Sequence, residues 1–294
     1  MGNVGATIAY TTVMKGLARE LILVSRNLEK AKADATDLMH SQVFTEHSLK
    51  ILAGGIETTT GSQVVIITAS IPWNPSFKSR FDLAPGNIAL MQQIIPELVE
   101  KSPEAVFIII TNPVDIITYF VLKISGLPAS KVMGVGTLID SARFREYLSI
   151  DAGIHPDDIR AYILGEHGDS QFPAFSIAYT GGERISAESY SMEAFSKTSH
   201  TGYEIVKGKG YSNFGISMAT SLILESIYLD NSRTIPVSTL VDQYLGIEEV
   251  CLSLPAVIGR NGIKRILHPD LNEQEQAALI KSANLIRKVI KEHL

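Results

Sequence analysis

Between Leu21 and Val135, short apolar runs alternate with longer stretches of helical periodicity, the pattern of a parallel sheet wrapped by crossover helices. The runs Leu21–Val24, Leu49–Ala53, Val64–Thr68, Val106–Ile110 and Lys131–Val135 are the expected strands. They are apolar at consecutive positions, as strands covered on both faces must be. Between the third and fourth, Asn87–Lys101 carries Ile88, Met91, Ile94, Ile95 and Leu98 near a helical period, and Pro96 is expected to kink or break it. Beyond residue 136 the pattern changes to a helix, an expected strand Ile159–Leu164, and then short strand-like pieces among long helical stretches. The last helix is the clearest. Asn272 caps it, Glu275 completes a capping-box pair, and Leu279, Leu285, Ile286 and Val289 line one side. The expectation is an α/β chain with a Rossmann-type, doubly wound parallel sheet in residues 1–135 and an α+β substrate domain in residues 136–294.

Composition narrows the function classes. The chain has 294 residues, 45% of them hydrophobic, enough to bury a full core. The 26 Lys and Arg against 31 Asp and Glu leave a net charge of -5 and no basic stripe, which argues against nucleic acid as a partner. No apolar run approaches the ~20 residues of a membrane span. A single cysteine, Cys251, closes no intrachain disulfide and reads as core filler, and no signal-peptide pattern opens the chain. A reducing, cytoplasmic setting is the expectation. His40, His47, His155, His200, His268 and His293 form no evident metal-ligand set.

The chain opens Met1-Gly2-Asn3-Val4-Gly5-Ala6-Thr7, matching the last part of a G-x-G-x-x-G loop that leads into a helix. In such loops the glycines let backbone approach a pyrophosphate and let the helix pack closely, with its N-terminus toward the anion. Alone, a G-x-x-G is read as readily as a plain turn into a helix. The first glycine of the pattern and the strand before it are absent, which predicts a gap in the sheet and a chain incomplete at its start, through a misassigned start or a real truncation. After the next strand, dinucleotide folds place an acidic residue on the ribose. Here the strand ends Ser25-Arg26, with Lys30 following. Ser25 can still hydrogen-bond, and Arg26 suits a 2′-phosphate or is simply a solvated arginine, so NADP stays open beside NAD.

Three further segments carry chemistry. In Asp140-Ser-Ala-Arg143-Phe-Arg145 the first acid and base stand three apart, neighbours on one helix face. In Gly165-Glu166-His167-Gly168-Asp169 a histidine sits between glycines just after an apolar run. In Thr111-Asn112-Pro113-Val114-Asp115 a strand ends in polar residues at the edge where doubly wound sheets bind ligands.

Jointly, these segments, the opening glycines, Thr68-Ala69 and Leu254-Pro255-Ala256-Val257-Ile258-Gly259 resemble the L-lactate and L-malate dehydrogenase family of 2-hydroxy-acid dehydrogenases, bacterial L-lactate dehydrogenases above all. The resemblance spans essentially the whole chain. It implies an NAD(P)-dependent oxidoreductase of carboxylic-acid metabolism, as in glycolysis, assembled as a homodimer or homotetramer. The implied cofactor-binding residues are Gly2, Asn3, Val4, Gly5, Ser25, Arg26, Lys30, Ser70 and Asn112. His167 matches the family's acid/base residue, and Asp140 its carboxylate partner. Arg143 matches the arginine that grips the substrate carboxylate by a planar fork. Asn112 matches a residue near nicotinamide and substrate, and Ser212 a threonine near the substrate side chain.

The segment Ser70–Leu83 matches the family's mobile active-site loop, with Arg80 in place of the arginine that polarises the carbonyl. It is one residue longer than usual, with Ser70 and Ser76 where the family has glycine. Trp73 falls where lactate dehydrogenases carry glutamine and malate dehydrogenases arginine. Without that arginine a dicarboxylate is poorly compensated, so the expected substrates are pyruvate or a bulkier 2-oxo acid such as 2-oxoisocaproate, unless the indole points outward. Arg145 and Arg160 match a basic pair that holds an allosteric fructose bisphosphate in some bacterial relatives. The competing expectation is a truncated, inactive nucleotide-binding relative.

Overall fold

The computed structural model describes residues 1–77 and 79–294. Its first half runs α1 (Asn3–Lys15), β1 (Glu20–Val24), α2 (Leu28–Ser41), β2 (Lys50–Gly54), β3 (Val64–Ile67), α3 (Ala84–Lys101), β4 (Val106–Ile109), α4 (Val114–Ser125) and β5 (Val132–Gly134). The five expected strands are all present, each within about two residues of its expected bounds. Strands β3, β4 and β5 pair in parallel, and their apolar residues, among them Phe107, Ile108 and Ile109, are fully buried between helices on the two faces.

Helix α3 departs from expectation in running unbroken through Pro96. Pro96 lies on the exposed side, where the carbonyl it leaves without a helical partner faces water, while Met91, Ile95 and Leu98 hold the other side in the core.

The second half comprises α5 (Leu138–Ala152), β6 (Ile159–Arg160), β7 (Ile163–Leu164), β8 (Phe172–Pro173), β9 (Tyr179–Thr180), β10 (Glu183–Arg184), α6 (Ser189–Lys209), α7 (Phe214–Leu229), β11 (Arg233–Val241), β12 (Val250–Gly259), β13 (Gly262–Ile266) and α8 (Glu273–Lys291). The expected strand Ile159–Leu164 is two short strands that join different sheets, β6 with β9 and β7 with β8. The apolar run is explained by burial on both sides of that switch rather than by one continuous ladder. Helix α8 begins with the expected capping box, Asn272 Oδ1 accepting from the Glu275 N–H and Glu275 accepting in return from the Asn272 N–H.

The sheet does not stop at the boundary between the halves. β11 pairs antiparallel with β5, so the six-stranded order is β13-β12-β11-β5-β4-β3. β1 and β2 form a separate parallel pair, and among the described residues no strand pairing joins them to β3. The β1–α2–β2 unit has its own apolar cluster, in which Leu23, Ala35, Leu38 and Ile51 pack on Ala9 and Val13 of α1. No helix among the described residues is long and apolar enough to cross a membrane.

Candidate active site

The carboxyl ends of β3, β4 and β5 and the first turns of α4 and α5 converge with the Gly165–Gly168 turn, and the side chains with chemistry meet there. His167 Nδ1–H donates to Asp140 Oδ2 at 2.5 Å, and Arg143 Nη1 donates to Asp140 Oδ1 at 3.1 Å. Arg143 stands where the spacing read in the sequence puts it, three residues along α5, while His167 is brought against that helix by a loop, in the pairing that the resemblance implied. Arg80 Nη1 reaches His167 Nε2 at 3.1 Å. Since a guanidinium only donates, Nε2 is the acceptor and the imidazole is the neutral Nδ1–H tautomer. Burial pushes the Asp140 carboxyl up, but the imidazole, Arg143 and Arg80 together outweigh it and hold Asp140 below its ordinary value. It is therefore a buried, fully charged partner for the histidine.

These four side chains line one cavity of about 200 Å³, closed on its other side by Gly168, Asp169, Gln171 and, from α6, Ser199, His200, Gly202 and Tyr203. The Arg80 guanidinium lies over the Tyr203 ring, 5.3 Å from its centre, and the Tyr203 hydroxyl donates to Asp169 Oδ1 at 3.0 Å. Gly202 leaves room for Arg143: a Cβ there would stand 3.3 Å from Nη1 and require the guanidinium to shift by a few tenths of an ångström.

Several residues in this machinery went unread in the sequence. Asn87, fully buried on α3, accepts from the Ile71 N–H at 2.8 Å and donates to the Asn112 carbonyl at 2.7 Å, tying the start of the loop to the end of β4. An asparagine on the apolar face of an amphipathic helix was the available signal. Asp115 and Glu166, within the motifs, are both buried, and His200 and Tyr203 reach the cavity from a helix with no motif at all.

Not every candidate lies at the cavity. Trp73 is 55% exposed and packs edge-on against Phe77, so the outward alternative describes it. Ser212 sits in the turn between α6 and α7, outside the cavity lining. Ser70 is exposed and takes a hydrogen bond from Asn87 Nδ2. Burial lowers the Arg145 pKa, with Arg160 and Arg233 adding to it against Asp157 and Tyr162.

The residues expected to hold a dinucleotide gather at the start of α1. Gly2 is its N-cap in extended conformation, and no acidic side chain occupies the first turn, leaving the N–H groups of Asn3 and Val4 available to an anion. A Cβ at Gly5 would meet Thr68 Oγ1 at 2.9 Å, so only glycine lets the helix start this close to the end of β3. Burial lowers the pKa of the Met1 amino group, and Lys30 and Arg26, just after β1, add to this against Asp34. Lys30 is paired with Asp34 at 2.8 Å. Across the sheet, Asn112 Oδ1 is buried without a partner. An anion-accepting helix start, a flanking cationic pair and an orphaned amide oxygen at the strand end fit a dinucleotide.

Comparison with known proteins agrees with this geometry. Residues 1–134 match the lactate/malate dehydrogenase NAD binding domain, and residues 137–294 the lactate/malate dehydrogenase alpha/beta C-terminal domain. The chain is 38% identical to the L-lactate dehydrogenase of Thermoanaerobacter sp. (strain X514), over 99% of this chain and 96% of that one. It is 37% identical to that of Synechococcus sp. (strain JA-3-3Ab), over 98% and 96%. Among solved structures, the minor L-lactate dehydrogenase of Enterococcus mundtii superposes with a TM-score of 0.95 at 32% identity, covering 99% of this chain and 96% of the other. A lactate dehydrogenase from a Medee basin deep-sea metagenome gives the same TM-score at 31% identity, covering 100% and 96%. With both halves matched and the full length covered, the chain belongs to the lactate/malate dehydrogenase family.

Proposed function

We propose that the chain is an L-lactate-dehydrogenase-like oxidoreductase that interconverts a 2-oxo and a 2-hydroxy monocarboxylic acid, with pyruvate and lactate the first pair to test. One observation carries this reading: a charged carboxylate, a histidine and two arginines line one small cavity, with each histidine nitrogen already engaged. Asp140 orients the ring and favours its protonated form, so that Nε2 can give a proton to a 2-oxo oxygen. Arg143 keeps one N–H on Asp140 and offers the rest of its fork to a carboxylate. A carbonyl oxygen between Arg80 and His167 would accept from both, and the fixed guanidinium charge stabilises the oxygen as it becomes negative.

A nicotinamide cofactor, when bound, supplies the hydride. Gly2, Asn3, Val4 and Gly5 would hold its phosphates, Ser25 and Arg26 its ribose end, and Asn112 its carboxamide. NAD is the main expectation. Arg26 follows β1 and makes no salt bridge among the described residues, which supports acceptance of the 2′-phosphate of NADP as well.

The test is oxidation of NADH, then NADPH, by the purified chain with pyruvate, oxaloacetate and 2-oxoisocaproate. Turnover of a monocarboxylate well above oxaloacetate is expected. Bound NADH with no turnover of any of the three would overturn the enzymatic reading. Arg80→Gln should lower kcat by about a hundredfold or more while changing KM much less, because the lost charge acts mainly as the oxygen becomes negative. A change confined to KM in steady-state kinetics would place Arg80 in ground-state binding instead.

A further inference from the structure

We propose that Asp115 is a positioning residue for His167: its carboxyl clamps the histidine main chain and adds a second negative charge, beside Asp140, that supports the protonated imidazole. This rests on the acid/base role given to His167 above. Asp115 lies in the first turn of α4 and is only 2% exposed. Its Oδ2 accepts from the His167 main-chain N–H at 2.7 Å, a contact between residues 52 apart in sequence.

A neutral acceptor would satisfy that N–H equally well, so the choice of a carboxyl needs a reason. Burial of an ionisable acid is costly unless its charge is used or it is neutralised. Here the two tendencies are near balance. Burial pushes Asp115 up to about 7, against Ser238, the His167 N–H and the imidazole charge, which all favour the carboxylate, while Glu166 works with burial. Asp115 Oδ1 and Ser238 Oγ are both buried, and neither has a well-formed hydrogen bond among the described residues, although Ser238 is near enough to favour the carboxylate. A small approach of the Ser238 hydroxyl, donating to Oδ1, would satisfy both atoms and hold Asp115 as a carboxylate.

The surroundings leave His167 as the cation that profits. From the turn after β7, Asp115 is faced by Glu166, itself pushed up by burial, and by His167; from β11 by Ser238; from β12 by Cys251, a thiol pushed far up by burial and by Asp115 itself. On the opposite side, the imidazole meets Asp140, Arg143 and Arg80, with Asp169 lining the same cavity. A carboxylate near an imidazole favours its protonated form. Removing the Asp115 charge should therefore make the imidazolium lose its proton at lower pH.

The experiment follows the His167 ring by NMR titration of the full chain, its signal assigned by its loss in H167Q, together with the pH profile of kcat/KM for pyruvate reduction. In Asp115→Asn, which keeps an acceptor but no charge, the ring midpoint and the alkaline limb should both move to lower pH by about half to one unit. Ser238→Ala, which withdraws support from the carboxylate, should move them the same way by less. Asp115→Ala leaves the His167 N–H without an acceptor and should lose at least about tenfold more in kcat than Asp115→Asn. An unmoved midpoint in Asp115→Asn, or equal kcat in the Ala and Asn variants, overturns the proposal. Should the Ala variant fail to fold, the Asn and Ser238 variants decide it through the midpoint. If the wild-type limb does not follow the ring titration, the acid/base reading fails; a ring midpoint that still moves in Asp115→Asn keeps the coupling, so the two failures are told apart.

Discussion

Replacing His167 by alanine should lower turnover by about a thousandfold or more while leaving NADH affinity within a few-fold. The ring is the proton donor best placed in the cavity, held at Nδ1 by Asp140 and presenting Nε2 to the point where Arg80 converges. His200 lines the same cavity but turns its Nδ1 to the Ser196 carbonyl on its own helix, and makes no ion pair with a carboxylate among the described residues. The residues expected to hold the dinucleotide phosphates lie at the start of α1, away from the His167–Asp140 pair, so binding and proton transfer should separate. Stopped-flow turnover and NADH fluorescence titration measure the two independently. Activity surviving within tenfold would assign the proton to another group, whereas parallel loss of NADH binding would point to collapse of the site.

The second large effect belongs to Arg143→Lys. The guanidinium does two tasks at once, bonding Asp140 Oδ1 and presenting a planar fork to the cavity, and it is largely shielded from water. An ammonium is a point charge that can reach Asp140 or a substrate carboxylate but cannot match both geometries. Losing one to two charge-assisted hydrogen bonds should raise KM for pyruvate by about a hundredfold. A smaller fall in kcat should accompany it, because an ammonium drawn to the substrate carboxylate gives up its bond to Asp140, which then orients the imidazole less firmly. Gly202 is close enough that the longer lysine stem has little freedom to compensate. Steady-state kinetics decide the point: an unchanged KM would remove Arg143 from substrate binding.

Much of this site could be read before folding, but from the segments taken jointly and the family they resemble. Asp140 and Arg143 are neighbours on any helix, as many surface ion pairs are, and a histidine between glycines after an apolar run is by itself more often a loop residue than a catalyst. What could not be read depends on contacts far apart in the chain. Asp115 stood inside a quoted motif, but its purpose exists only once the turn after β7 is laid against α4. Tyr203 and His200 come from a helix whose periodicity says nothing about the cavity. Trp73 shows the opposite failure. Its position along the loop suggested a wall of the substrate pocket, yet the loop is longer than the pattern it was matched to, and the indole rests on Phe77 near the surface. Pro96 and the split at Ala161 and Tyr162 show the same limit in the fold, since burial pattern alone does not say which neighbour completes a hydrogen bond.

The division of the sheet reaches beyond architecture. β1, β2 and β3 are all edge strands, so the unit carrying Ser25, Arg26 and Lys30 is fastened to the body by α1 and side-chain packing, without a shared ladder. Because no backbone ladder among the described residues joins this unit to the central strands β4, β5 and β11, its amides are expected to exchange with solvent through local opening before those of the central strands. Coenzyme affinity then includes the work of keeping this block docked, and bound coenzyme in turn stabilises the docked state, linking local folding to occupancy of the site.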